Sequence, residues 1–185
     1  MKKYLVAAAA VFCVPGAAFA QDFDGPRAEA RIGWETPTVS EDGDVFKIES
    51  DVSYGGEVGF DLAVGKKVVV GPYATYEFSN VGICDGTDCL KEDGNLGVGG
   101  RLGIALGKKA LIYGKLGYAK IRFTATTGTV TGSESDSGVQ GALGLNLNFG
   151  KHAYGLLEVN YADYGKFEGI NLQRRHVAAG IGLRL

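Results

Sequence analysis

The sequence predicts an all-β protein: an eight-stranded antiparallel up-and-down transmembrane β-barrel. Three observations predict it. Apolar and polar residues alternate with a period of two over long segments. Every second connection is short and the others are long. Outside the first 20 residues, no apolar run approaches the roughly 18 residues that a membrane helix needs. A length of 185 residues fits one domain. The 30 glycines come with only 4 prolines and no collagen period, so neither a triple helix nor a disordered linker explains them.

The N-terminus carries Lys2 and Lys3, an apolar stretch from Tyr4 to Val14, a Pro15-Gly16 break and small residues at Ala18-Phe19-Ala20. That order predicts a signal peptide over residues 1–20 and a mature barrel domain over 21–185. Lipid attachment at Cys13 fits less well, because Phe12 stands where that motif wants a small residue. Losing the two lysines changes the balance from 19 basic against 21 acidic residues to 17 against 21, a net charge of −4. Such a balance argues against a nucleic-acid partner.

In the mature chain, Val52, Tyr54, Gly56, Val58, Phe60 and Leu62 alternate with Ser53, Gly55, Glu57, Gly59 and Asp61. The same period recurs through 68–78 and 96–106, and eight such segments are predicted: about 27–36, 51–63, 67–79, 95–106, 110–123, 138–149, 152–163 and 173–185. Each is long enough to cross a bilayer as a tilted strand of about 9 to 11 residues. Gly-Lys turns recur at 65–66, 107–108 and 150–151, so the repeating unit is a hairpin. Polar segments at about 37–50, 80–94, 124–137 and 164–172 read as long loops on the opposite side, the asymmetry of outer-membrane barrels.

One set of alternating positions holds Arg27, Glu29, Arg31, Glu57, Asp61, Glu77, Arg101, Lys115, Glu158, Arg174 and Arg184. The other is apolar through mid-strand and gathers Trp34, Tyr54, Tyr76, Phe78 and Tyr161 at the loop-proximal ends, where a membrane girdle belongs. A soluble barrel would not explain that aromatic placement. Eight strands enclose a lumen just wide enough for side chains, so five inward acids facing six inward bases predict a salt-bridged interior. The competing reading of the same charges is an ion path, a narrow channel.

The run Tyr-Gly-Lys-Leu-Gly-Tyr at 113–118, the run Leu-Glu-Val-Asn-Tyr-Ala-Asp-Tyr at 157–164 and the terminal Gly180-Ile181-Gly182-Leu183-Arg184-Leu185 resemble small OmpA/Opa-like outer-membrane β-barrel proteins over the whole mature chain. The resemblance implies the outer membrane of a Gram-negative bacterium, with membrane lipid and the outer-membrane assembly machinery as partners. It also implies a structural or adhesin-like role, with host or surface ligands meeting the outer loops. One departure is Leu185, where the family usually ends in Phe.

Chemistry is sparse. Cys84 and Cys89 are the cysteines of the mature chain, and in an oxidising compartment such a pair is expected to close. A metal site fails on ligand count, since His152 and His176 lie far from them in sequence. A lipid-modifying hydrolase needs a nucleophile beside a base, and the strand of His176 offers no Ser or Cys at 174, 178 or 180. Gly97-Val98-Gly99 lacks the third glycine of a dinucleotide fingerprint. No enzyme, cofactor or metal is expected. Binding is expected in the four outer loops, and cell-wall anchoring by a domain after the barrel is not.

Overall fold

The computed structural model describes residues 20–41, 44–47, 50–79, 81–85, 88–127, 130–167 and 170–185. The expected signal peptide lies outside these residues except for Ala20, which opens a short 3-10 turn, Ala20–Phe23. Ten β segments follow. They are β1 (Gly25–Glu41), β2 (Asp44–Lys47), β3 (Asp51–Val64), β4 (Val68–Ser79), β5 (Gly82–Asp85), β6 (Asp88–Leu106), β7 (Ala110–Thr127), β8 (Val130–Asn148), β9 (Ala153–Phe167) and β10 (Ile170–Arg184).

The short β2 and β5 add no staves. β2 pairs with the outer part of β1 in the lane that β3 occupies below it, and β5 stands above β4 against β6 in the same way. Eight lanes result, each antiparallel to its neighbours. Pairing of β1 with β10, from Arg27↔Arg184 to Ser40↔Asn171, closes the sheet and removes its edges. Closure matters because an unpaired backbone group in hydrocarbon costs several kcal/mol.

Two of the Gly-Lys turns have a backbone cause. Gly65 and Gly107 adopt φ of 70° and 75°, a left-handed conformation that a Cβ disfavours, so each can reverse the chain within three residues. At the opposite end the structure departs from the sequence reading. The expected loops 37–50, 80–94, 124–137 and 164–172 are largely strand: β1 runs to Glu41, β6 starts at Asp88, β7 and β8 extend to Thr127 and from Val130, and β9 and β10 extend to Phe167 and from Ile170. The ladders continue beyond the bilayer because pairing needs only backbone partners. With water on the outside, the side chains there need no apolar face.

The outward positions form a hydrophobic belt. Leu116 and Leu143 are 69% and 72% exposed, values that make sense only against lipid. Trp34, Tyr54, Tyr76, Phe78 and Tyr161 are exposed at the outer border of this belt, and Tyr118 joins them. Tyr54 stacks on Phe78 at 5.6 Å, and Tyr76 meets Phe78 edge-on at 4.9 Å.

Candidate functional site

The lumen is the first candidate. All eleven charged residues of the alternating set lie on the inner face and are buried. They sort into a lower hub, a middle hub and an outer group. In the lower hub Asp61 accepts from Arg27 Nε at 3.2 Å, Arg101 Nη1 at 3.0 Å and Arg184 Nη2 at 3.1 Å. In the middle hub Glu57 meets Arg27 and Arg31, each at 2.6 Å, and Lys115 Nζ at 2.5 Å. Glu158 takes Lys115 at 2.6 Å, Arg31, and the Tyr113 hydroxyl at 2.7 Å. Glu29 accepts from Arg27 and from the Tyr154 hydroxyl, both at 2.8 Å. In the outer group Arg174 binds Glu35 through Nε at 2.6 Å and Glu77 at 3.1 Å. Each of the six inward bases thus touches at least one inward carboxylate, the condition under which buried charge is tolerable.

Aromatic rings complete the packing. The Arg101 guanidinium lies 3.8 Å from the Tyr113 ring centroid, and Arg184 lies 4.8 Å from that of Tyr154. A Cβ at Gly182 would stand 2.3 Å from the Tyr154 ring, so that position needs its missing side chain. The periplasmic end of the lumen is apolar, where Phe23 packs with Val69, Ala105 and Leu111. Towards the outside, Ala119, Ile121, Ala162 and Tyr164 form a second cluster, the Tyr164 hydroxyl accepting from Asn95.

The sequence reading missed several members. Glu35 shares the odd-numbered face of Arg27, Glu29 and Arg31, so its signal was present. Tyr113 and Tyr154 share the alternation of Lys115 and Glu158 in the same way. Glu92 had no such signal, because a register shift between Glu92 and Gly94 reverses the parity of β6 and turns its side chain inward. Among the described residues the buried ionisable side chains are therefore seven acidic against six basic, not five against six. Both oxygens of the Glu92 carboxylate lack a hydrogen-bond partner.

A Ser–His–Glu array is a second candidate. Ser53 Oγ lies 2.8 Å from His176 Nε2, and Glu77 Oε2 lies 3.6 Å from His176 Nδ1. The first contact suits a nucleophile and its base; the second exceeds a hydrogen bond, and the same Glu77 oxygen is held by Arg174. Ser53 and His176 are 1% and 2% exposed, so no ester reaches the hydroxyl. His152 sits elsewhere, its Nδ1 2.9 Å from the Arg184 carbonyl. No group of three or more metal-ligating side chains occurs among the described residues. In the outer hairpin, β5 and β6 pair with Cys84 directly opposite Cys89.

A closed antiparallel barrel with lipid-facing apolar residues and an ion-paired interior is a transmembrane β-barrel. The chain belongs to the outer membrane protein β-barrel family: residues 4–184 match the family model described as "Outer membrane protein beta-barrel domain". It is a small barrel of the OmpA/Opa-like type, located in the outer membrane of Gram-negative bacteria. A search of curated proteins returned no match. Among solved structures, Ail, the attachment invasion locus protein of Yersinia pestis, is similar at 15% identity with a TM-score of 0.56, over 85% of this chain and 99% of that one. Its structure was solved in complex with the heparin analogue sucrose octasulfate. Neisserial surface protein A is similar at 10% identity and a TM-score of 0.58, over 85% and 97% of the two chains. The N-terminal β-barrel domain of Pseudomonas aeruginosa OprF is similar at 14% identity and a TM-score of 0.50, over 84% and 97%. At these identities the likeness concerns the fold.

Proposed function

We propose that this protein is a non-conducting outer-membrane scaffold that works as a surface-binding protein through its outer end, and that it is not an enzyme. One observation carries the reading: the lumen is filled by buried side chains in which each of the six bases is ion-paired, and its periplasmic end is closed by apolar residues. An ion path needs hydrated groups in sequence across the membrane, whereas each inward base within the membrane span is held by an inward carboxylate and only Glu92, beyond the aromatic border, has both carboxylate oxygens without a hydrogen-bond partner among the described residues. Burial of Ser53 and His176 argues against a hydrolase. Residues 1–20 serve as the export signal, and the assembly machinery inserts the rest. The opposed Cys84 and Cys89 close a disulfide across the outer hairpin, since a directly opposite cross-strand pair has Cα atoms about 4.5 to 5.5 Å apart, within the range a disulfide spans.

The chemistry of the outer partner follows from charge. Among the described residues seven acids point inward, Asp22 and Asp24 lie at the periplasmic end, and nine lie at the outer end. Of the 19 basic residues, Lys2 and Lys3 precede the barrel, six point inward and five occupy the periplasmic turns, which leaves six. An outer surface with nine acids against six bases among the described residues favours a cationic ligand over a sulfated one such as the analogue bound by Ail. Planar-bilayer recording tests the scaffold reading: conductance should be absent or small and irregular, and large, uniform openings would overturn it. On intact cells, where only the outer end is reachable, the protein should bind a soluble basic protein and not heparin at low salt.

A further inference from the structure

We infer that the five lysines of the periplasmic turns, Lys66, Lys67, Lys108, Lys109 and Lys151, bind anionic phospholipid headgroups of the inner leaflet, with one phosphate seated between the second and third turns. The recurrence of Lys after the turn glycine is not needed by the turns themselves. Gly65 and Gly107 supply the left-handed φ, and any polar residue could follow. The lysines are all exposed, and the charges opposing them at this end are Asp22 and Asp24, the latter accepting from the Ala63 backbone N–H at 2.7 Å.

Depth selects the partner. Each lysine-bearing turn follows an apolar residue at the lower border of the hydrophobic belt: Val64, Leu106 and Phe149, which are 45%, 54% and 67% exposed. A lysine two or three positions later therefore stands at headgroup level, its alkyl stem along the belt and its ammonium among phosphates. Turns this short do not reach the cell wall beyond the headgroups. They are also held in place, because the carbonyls of Lys67, Lys109 and His152 accept from the backbone N–H groups of Ala105, Asn148 and Arg184 at 2.7, 2.8 and 2.7 Å. Between the second and third turns lies an open cavity of about 600 Å³ bordered by the cations Lys108, Lys109, Lys151 and Arg184 and by the acids Asp22 and Asp24, with Phe149 at its edge; Asp24 is occupied by the Ala63 N–H, so the cations prevail. Three ammonium groups beside an exposed phenyl ring match a phosphate attached to an acyl-bearing glycerol. The barrel is therefore polar along its axis, basic towards the periplasm and acidic outside.

Native mass spectrometry of the barrel in mild detergent, titrated with phosphatidylglycerol or phosphatidylcholine, tests this. The protein should prefer phosphatidylglycerol, and replacing the five lysines by Gln should lower that preference at least about tenfold, since one lysine near an anionic surface is worth roughly fivefold. The five Lys→Arg changes should retain it, and Lys120→Gln with Arg122→Gln, at the outer end, should leave it unchanged. Equal binding of both lipids, or a preference that survives the Gln changes or falls equally with the outer pair, would overturn the inference. If the Gln variant does not fold, the unmodified protein decides: its preference should fall steeply in about 0.5 M salt, where the Debye length is about 4 Å, and a salt-independent preference would overturn it. Loss of co-sedimentation with purified peptidoglycan in the Gln variant, with lipid preference intact, would assign the lysines to the cell wall instead.

Discussion

Asp61 and Glu57 each accept from three cations, yet removing them should not cost the same. When Glu57 becomes Gln, every partner keeps another carboxylate: Arg27 keeps Glu29 and Asp61, Arg31 keeps Glu158 and Glu77, and Lys115 keeps Glu158. When Asp61 becomes Asn, Arg27 keeps Glu29 and Glu57, but Arg101 and Arg184 lose the one carboxylate that each contacts among the described residues. Removing one member of a buried pair costs about 3 to 5 kcal/mol. The redundancy around Glu57 places Glu57→Gln near the lower figure, about 3 kcal/mol. Two stranded guanidiniums place Asp61→Asn at or above the upper one, about 5 kcal/mol. The Tyr113 and Tyr154 rings already contact these guanidiniums in the parent, so they do not offset that loss. Urea titration of barrels folded into lipid vesicles, scored by the gel shift between unboiled and boiled protein, measures both. An equal cost, or a larger one for Glu57→Gln, would refute the assignment of Asp61 as the hub without alternatives.

Three further outcomes are expected. Leu102→Arg places a charge on the lipid face at mid-strand, 57% exposed in the parent, and should destabilise the folded barrel by about 2 to 4 kcal/mol in the same titration. Glu92 lies beyond the aromatic border, outside the membrane-spanning segment, where burial and then the nearby Glu35 carboxylate push its pKa above the usual carboxylate range. The native state then keeps a proton that the unfolded chain has lost, so stability should fall as pH rises past the ordinary carboxylate range. Glu92→Gln should flatten that fall and stabilise by about 1 to 3 kcal/mol at neutral pH; an unchanged pH profile would count against it. For Cys84 and Cys89, mass spectrometry of protein from the cell envelope should find no free thiol, and Cys84→Ser should leave barrel stability within about 0.5 kcal/mol, because the hairpin stands outside the membrane belt.

The period of two was enough to determine the fold class, the number of lanes, which face meets lipid and eleven of the inward charges, since in a sheet with unlike solvents on its two faces each residue reports its own side. Glu35 was legible by the same rule. The outer extensions of β1, β6, β7, β8, β9 and β10 were not, because a ladder in water needs no apolar face and leaves no alternation to read. Glu92 was hidden by a local reversal of parity on β6 that only the pairing with β7 reveals. Partner identity was also beyond the sequence. Ser53 and His176 meet across 123 residues because β1 closes against β10. Asp61 serves Arg101 and Arg184 because closure and stagger bring three strands to one level of the lumen. Alternation sorts side chains between two faces, whereas the register of a closed sheet decides which of them touch.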